Sequence, residues 1–195
     1  MNTRMFLAAM TLVAATGISA CSADDTAGTN AVAIGGTFQF HSPGGEKVIH
    51  YAEDERAPIA NITGEAVVGQ PISLDDYAGH VVVLNAWGQW CGPCRTEVDD
   101  LETVHEALSA TGGAVIGINV RDTKSLAADF MVDNGLTYPS LFDPPFKTAA
   151  LLGGLPASVV PTTIVLDKQH RPAVVFLRAI TDTELLPIVQ ELEAQ

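Results

Sequence analysis

The rhythm of hydrophobic and polar positions changes along the chain, and each rhythm predicts an element. "VVVLNAW" (81–87) and "AVIGINV" (114–120) are unbroken apolar runs rich in β-branched residues, the pattern of strands buried on both faces. Between them, from Pro93 to about Ala110, Val98, Leu101, Val104, His105 and Leu108 recur at helical spacing, and "TGG" (111–113) ends the helix. A further helix is expected over 124–133, with Thr123 as its N-cap and Gly135 as its stop. "PPFKTAALLG" (144–153) suggests a short one. "TTIVLD" (162–167) and "AVVFLR" (173–178) read as strands joined by the turn "KQHR". "TDTE" (181–184) is a capping box that opens a last helix. Upstream, "PISLDDYAGH" (71–80) carries a short helix or turn, and 52–63 is irregular around Pro58. "TFQF" (37–40) and "KVIHY" (47–51) flank the turn-rich "HSPGGE" and predict a β-hairpin.

Helices that alternate with buried strands, followed by two adjacent strands, imply an α/β fold. Its central sheet is mixed, with a parallel core and an antiparallel edge, flanked by helices and preceded by the hairpin. At 195 residues the chain fits one domain with a tail. A net charge of −13 argues against nucleic acid, whose binding depends on neutralising phosphates, and against a polybasic grip on anionic lipid.

The N-terminus differs in kind. "MFLAAMTLVAATGISA" is apolar and rich in small residues, short for a membrane span and suited to a secretory signal over 1–20. Its end, "ISAC", resembles the lipobox of bacterial lipoproteins, which implies that Cys21 is acylated and becomes the new N-terminus. An ordinary signal peptide would instead leave Cys21 as a free thiol. Residues 21–35, small and polar, read as a flexible tether to a domain over 36–195.

The candidate chemistry lies in "NAWGQWCGPCRTEV" (85–98). A structural zinc site needs four ligands, commonly in two close pairs. Apart from Cys91 and Cys94 the chain has only Cys21, and no two of its five histidines stand at a paired ligand spacing. No metal and no cofactor is expected. A purely structural disulfide between residues this close adds little chain-entropy stabilisation. A redox dithiol accounts for more. Cys91 follows a buried strand, and Pro93 starts a helix where its missing N–H costs nothing. Cys91 is thereby placed at a helix N-terminus, which favours a thiolate. Cys94, one turn further in, is the resolving thiol. Trp90, Gly92 and Pro93 frame Cys91 as candidate substrate contacts.

"WCGPC" is the thioredoxin-type form of this motif, and over residues 64–195 the chain resembles the membrane-anchored TlpA/ResA-like thiol–disulfide oxidoreductases. "VVVLNAWGQWCGPCRTEV" carries that family's Asn-x-Trp strand, and "VPTTIVLD" (160–167) its Pro-Thr-Thr strand. The resemblance implies a thioredoxin-like fold, a cis peptide at Pro161, and pairing of the Val160 backbone with an extended substrate. Pro156 is not followed by a strand and is set aside. Where cytoplasmic thioredoxins hold an acid six residues before the first Cys, this chain has Asn85; Glu97 matches the acidic position of the TlpA/ResA-like branch and would accept the Cys94 proton. The alternative is a surface acid favoured by the helix dipole.

By the same resemblance the protein is an extracytoplasmic, lipid-anchored enzyme that reduces disulfides of exported cysteine-containing proteins, apocytochrome c among them. A membrane thiol-electron carrier would supply the electrons. "ASVVP" and "FDPPFKTAALLGGL" depart from the family beside the substrate groove, so the client does not carry over. Two other classes compete. A peroxiredoxin-like peroxide reductase uses a Thr-x-x-Cys pocket with an Arg, whereas Gln89 and Trp90 precede Cys91 here. A copper chaperone on the same fold wants Cys-x-x-x-Cys and a distant His.

Overall fold

The structure is a computed structural model that describes residues 36–195. The expected signal segment, the tether and Cys21 lie outside the described residues. In chain order the elements are β1 (Val48–His50), β2 (Thr63–Gly64), β3 (Ile72–Ser73), β4 (Val82–Trp87), α1 (Gly92–Thr96), α2 (Val98–Ser109), β5 (Ala114–Asn119), α3 (Lys124–Asp133), β6 (Ser140–Phe142), α4 (Thr148–Leu151), β7 (Thr162–Leu166), β8 (Pro172–Phe176) and α5 (Asp182–Ala194). Six strands form one sheet in the order β1-β8-β7-β4-β5-β6. β4, β5 and β6 run parallel, while β7, β8 and β1 add on antiparallel. This is the mixed sheet of a thioredoxin-like fold.

The pleat of β4 sorts its residues between two cores. Val83, with Val81 just before the strand, packs with Leu101, Val104 and Leu108 of α2 and with Leu185, Val189 and Leu192 of α5. Val82, Leu84 and Ala86 face the other way, onto Ile59, Ile62, Leu74 and the α4 region. Every residue of β4 is buried, as its unbroken apolar run requires. Asn85 falls on the α2/α5 side by the same period of two. α3 covers a third cluster, in which Ala127, Phe130 and Met131 meet Trp87 and both cysteines.

Two expectations are corrected. The N-terminal β-hairpin does not form. Phe38 N donates to Pro58 O at 3.1 Å and Phe40 N to Gly153 O at 2.9 Å, while β1 pairs with β8, Ile49 opposite Val175. The Pro43–Gly45 turn, with Gly44 and Gly45 at positive φ, leads the chain to that open sheet edge. Phe38 is buried edge-on against Tyr51 instead. The helix expected from Pro93 to Ala110 is two helices, broken at Glu97 (φ −105°, ψ −1°). The short strands β2, β3 and β6 had no readable alternation. The remaining helices lie where expected: the Thr123 hydroxyl accepts from Leu126 N, and Thr181 and Glu184 form the capping box of α5.

Candidate active site

β4 ends at Trp87, and a tight turn over Gly88–Trp90 delivers Cys91 to the N-cap of α1. A Cβ at Gly88 would lie 2.3 Å from the Trp90 indole nitrogen, so a larger residue there would displace that ring. The turn is tied to the loop after β5. Gln89 N donates to Asp122 Oδ2 at 2.9 Å, and Asn119 Nδ2 donates to the same oxygen at 3.2 Å. Trp90 Nε1 donates to Val120 O at 3.0 Å, and the Arg121 guanidinium lies 4.4 Å from the Trp90 ring centroid.

Cys91 and Cys94 are joined in a disulfide (S–S 2.09 Å), so the structure shows the oxidised state. Cys94 N donates to Cys91 Sγ at 3.2 Å, and the Val160 carbonyl oxygen lies 3.7 Å from that sulfur. After reduction the same amide would stabilise a Cys91 thiolate, together with the helix N-terminus. Cys91 is 4% exposed and Cys94 1%, an order that suits an attacking and a resolving sulfur. The Val160–Pro161 peptide is cis. Val160 is half-buried beside the disulfide, and Trp90, Gly92 and Pro93 are exposed around it. Every candidate from 90 to 97 and from 160 to 161 therefore gathers at one end of β4 and β7.

Glu97 is not a surface acid. It is 1% exposed, turned inward where α1 gives way to α2. Oε1 accepts from Asn85 Nδ2 at 2.9 Å and Oε2 from Ile180 N at 3.0 Å. Burial pushes its pKa up to about 7; those two hydrogen bonds oppose the rise and Asp100 adds to it. A carboxyl group that titrates near neutrality can both take and return a proton under working conditions.

Four contributors carry no local signal in the sequence. Val67 walls the cysteine cluster from the β2–β3 connection, Asn119 and Asp122 hold the turn before Cys91, and Thr163 Oγ1 accepts from Asn85 Nδ2 at 3.0 Å. Thr163 stood in the quoted Pro-Thr-Thr strand, but nothing local revealed which way it faced.

A thioredoxin-like sheet carrying a Cys-Gly-Pro-Cys disulfide against a cis-proline loop defines a dithiol–disulfide exchange protein. The AhpC/TSA family pattern matches residues 55–171, and the chain belongs to that family. The chain is 63% identical to a DsbF homologue from Corynebacterium diphtheriae, covering 80% of this chain and 99% of that one (TM-score 0.78). A secreted thiol-disulfide isomerase from Corynebacterium glutamicum is 56% identical, over 83% of this chain and 100% of its own (TM-score 0.79). The thiol-disulfide oxidoreductase ResA of Bacillus subtilis is 27% identical over 132 residues, 68% of this chain and 71% of that protein. The protein is a thiol–disulfide oxidoreductase of the TlpA/ResA-like kind, and its clients are cysteine-containing proteins.

Proposed function

We propose that this enzyme works outside the cytoplasm, anchored to the membrane through an acylated Cys21, and reduces disulfides of exported proteins, apocytochrome c among them. The observation that carries the reading is the Cys91–Cys94 disulfide at the N-terminus of α1, with the cis Val160–Pro161 peptide beside it and Glu97 buried where α1 ends. In the reduced enzyme the Cys91 thiolate attacks one sulfur of a client disulfide and the first client thiolate leaves. Glu97 takes the Cys94 proton; the Cys94 thiolate then attacks Cys91 sulfur, and the second client thiolate leaves. Two electrons pass to the client, and the product is the disulfide seen here. The Val160 backbone lies where an extended client segment can align beside Cys91, with Trp90, Gly92 and Pro93 forming the rim. A membrane thiol-electron carrier restores the dithiol.

Cys94→Ser removes the resolving thiol and should hold clients on Cys91 as mixed disulfides, which diagonal gels and mass spectrometry identify. If no protein accumulates on this variant in the exporting cell, protein-disulfide reduction is excluded as its role.

A second reading reverses the direction. The Cys94 amide on Cys91 Sγ favours the thiolate, and stabilising the reduced form makes a couple more oxidising. Equilibration with a defined thiol buffer separates the two. A midpoint close to that of thioredoxin, about −270 mV, supports the reductase, whereas one above roughly −150 mV establishes an oxidase.

A further inference from the structure

Asn85 occupies the position where the fold's cytoplasmic relatives carry an acid, and its surroundings give it more to do than fill space. It is fully buried in β4. Nδ2 uses both protons, donating to Glu97 Oε1 at 2.9 Å and to Thr163 Oγ1 at 3.0 Å. Oδ1 is buried without a partner among the described residues. Burying an amide oxygen unpaired is costly, so its presence asks for a reason.

The arrangement matches an ionised Glu97. Its carboxylate accepts from Asn85 and from Ile180 N, and Thr163 accepts from Asn85. A proton on Oε1 would remove the charge to which the Asn85 N–H donates, and an O–H turned toward Asn85 would meet a donor instead of an acceptor. The two ends of an asparagine amide are nearly the same size, and a half-turn about χ2 exchanges them. Turned, Oδ1 has two lone pairs for two donors, the Glu97 O–H and the Thr163 hydroxyl. Nδ2 then becomes the unpaired end. One polar atom of Asn85 is unsatisfied in either orientation, so neither is locked.

We propose that Asn85 is a positioning residue whose amide reverses when Glu97 takes the proton from Cys94, so that both forms of the acid keep a hydrogen-bond partner. This rests on the reading of Glu97 as the proton acceptor. The cycle balances. Cys94 S–H gives its proton to Glu97, Asn85 turns, and the Cys94 thiolate attacks Cys91 in the mixed disulfide. The Cys91–Cys94 bond forms as the client thiolate leaves; that thiolate receives the Glu97 proton, and Asn85 turns back. The ionisable groups around Glu97 fit one proton shuttling in a closed pocket. Asp100 on α2 opposes its charge, buried Tyr138 stays a neutral phenol, and α1 supplies the two thiols. β4, β7 and the segment before α5 supply the uncharged Asn85, Thr163 and Ile180 N–H, and Arg178 of that segment is paired with Glu184.

Ellman's reagent separates the steps, because Cys91 releases a first thionitrobenzoate and Cys94 attack releases the second. Asn85→Leu should slow the second phase about tenfold near neutral pH, the value of a lost hydrogen bond to a charged group, and leave the first within about twofold. Placed in Glu97→Gln, the same change should add less than about twofold, since Asn85 acts through Glu97. A full further loss in that background overturns the role of Asn85 alone. A Glu97→Gln second phase as fast as wild type removes the proton acceptor and this proposal together. An observation on the unmutated protein guards against misfolding. Nuclear Overhauser contacts from the Asn85 Nδ2 protons to Thr163 should be present above the Glu97 midpoint and lost below it. Contacts that persist through the titration rule the reversal out.

Discussion

Glu97 is a carboxyl group in a place that water hardly reaches, and its titration reports on the whole site. Folding raises its pKa from an ordinary 4.5 to about 7 because burial disfavours the anion more than Asn85 and Ile180 N–H restore it. Below pH 4.5 the group is protonated in both folded and unfolded chains and costs nothing. As pH rises from there to about 7 the unfolded chain ionises first, so stability falls, by roughly 3 kcal/mol from this group. Above about 7 the loss is complete. Urea unfolding of the oxidised protein at pH 4.5 and pH 8 should therefore differ by that order, and Glu97→Gln should flatten this part of the pH profile. An unchanged profile in the variant would place the titration elsewhere. The family resemblance singles out Glu97 as the candidate acid, but nothing in the sequence shows that it is buried. Its partners lie 12 and 83 positions away in the chain.

At the scale of elements, the site depends on how closely β4, β5 and β6 approach one another. Gly117 of β5 stands beside Asn85 in the parallel register, and a Cβ there would lie 2.6 Å from Ser140 Oγ and 2.7 Å from Trp87 Nε1. Those two atoms hydrogen-bond each other at 2.9 Å and fix the last residue of β4 before the turn to Cys91. Gly117→Ala should break that bond and cost about 1–3 kcal/mol, measured by urea unfolding, with a changed near-ultraviolet Trp signal. β4, β5, β7, α3 and α5 were legible because each writes its own period or cap over five or more residues. β2, β3 and β6, two or three residues long, were not. β1 was read as a strand but given the wrong partner, since turn chemistry around Pro43–Gly45 says nothing about an open edge on β8.

For the whole molecule, the disulfide, the Asn85–Glu97 hydrogen bond and the approach of Val160 to Cys91 all join residues of the described domain. The proposed anchor at Cys21 lies upstream of that domain, so anchoring and chemistry should be separable. Cys21→Ser should move the protein from the membrane fraction to the soluble one while the Cys91/Cys94 midpoint stays the same. Retention in the membrane fraction would overturn acylation at Cys21 as the anchor. The net charge of −13 disfavours a polyanionic partner, in keeping with a protein substrate.

Cys-Gly-Pro-Cys after a buried strand, Pro161 ahead of a second strand, and the α/β succession were determined by the sequence itself. Each rests on local backbone preferences, or on a motif short enough to carry its own geometry. The tertiary structure alone decided that β1 joins β8, that the first long helix breaks at Glu97, and that Glu97, Asn85, Thr163 and Ile180 share one buried hydrogen-bond cluster. Asn85 and Thr163 stand 78 residues apart, and only the antiparallel register of β4 and β7 sets them side by side. Periodicity shows that a residue faces inward. What it meets there depends on which strands pair, and that is a property of the folded chain.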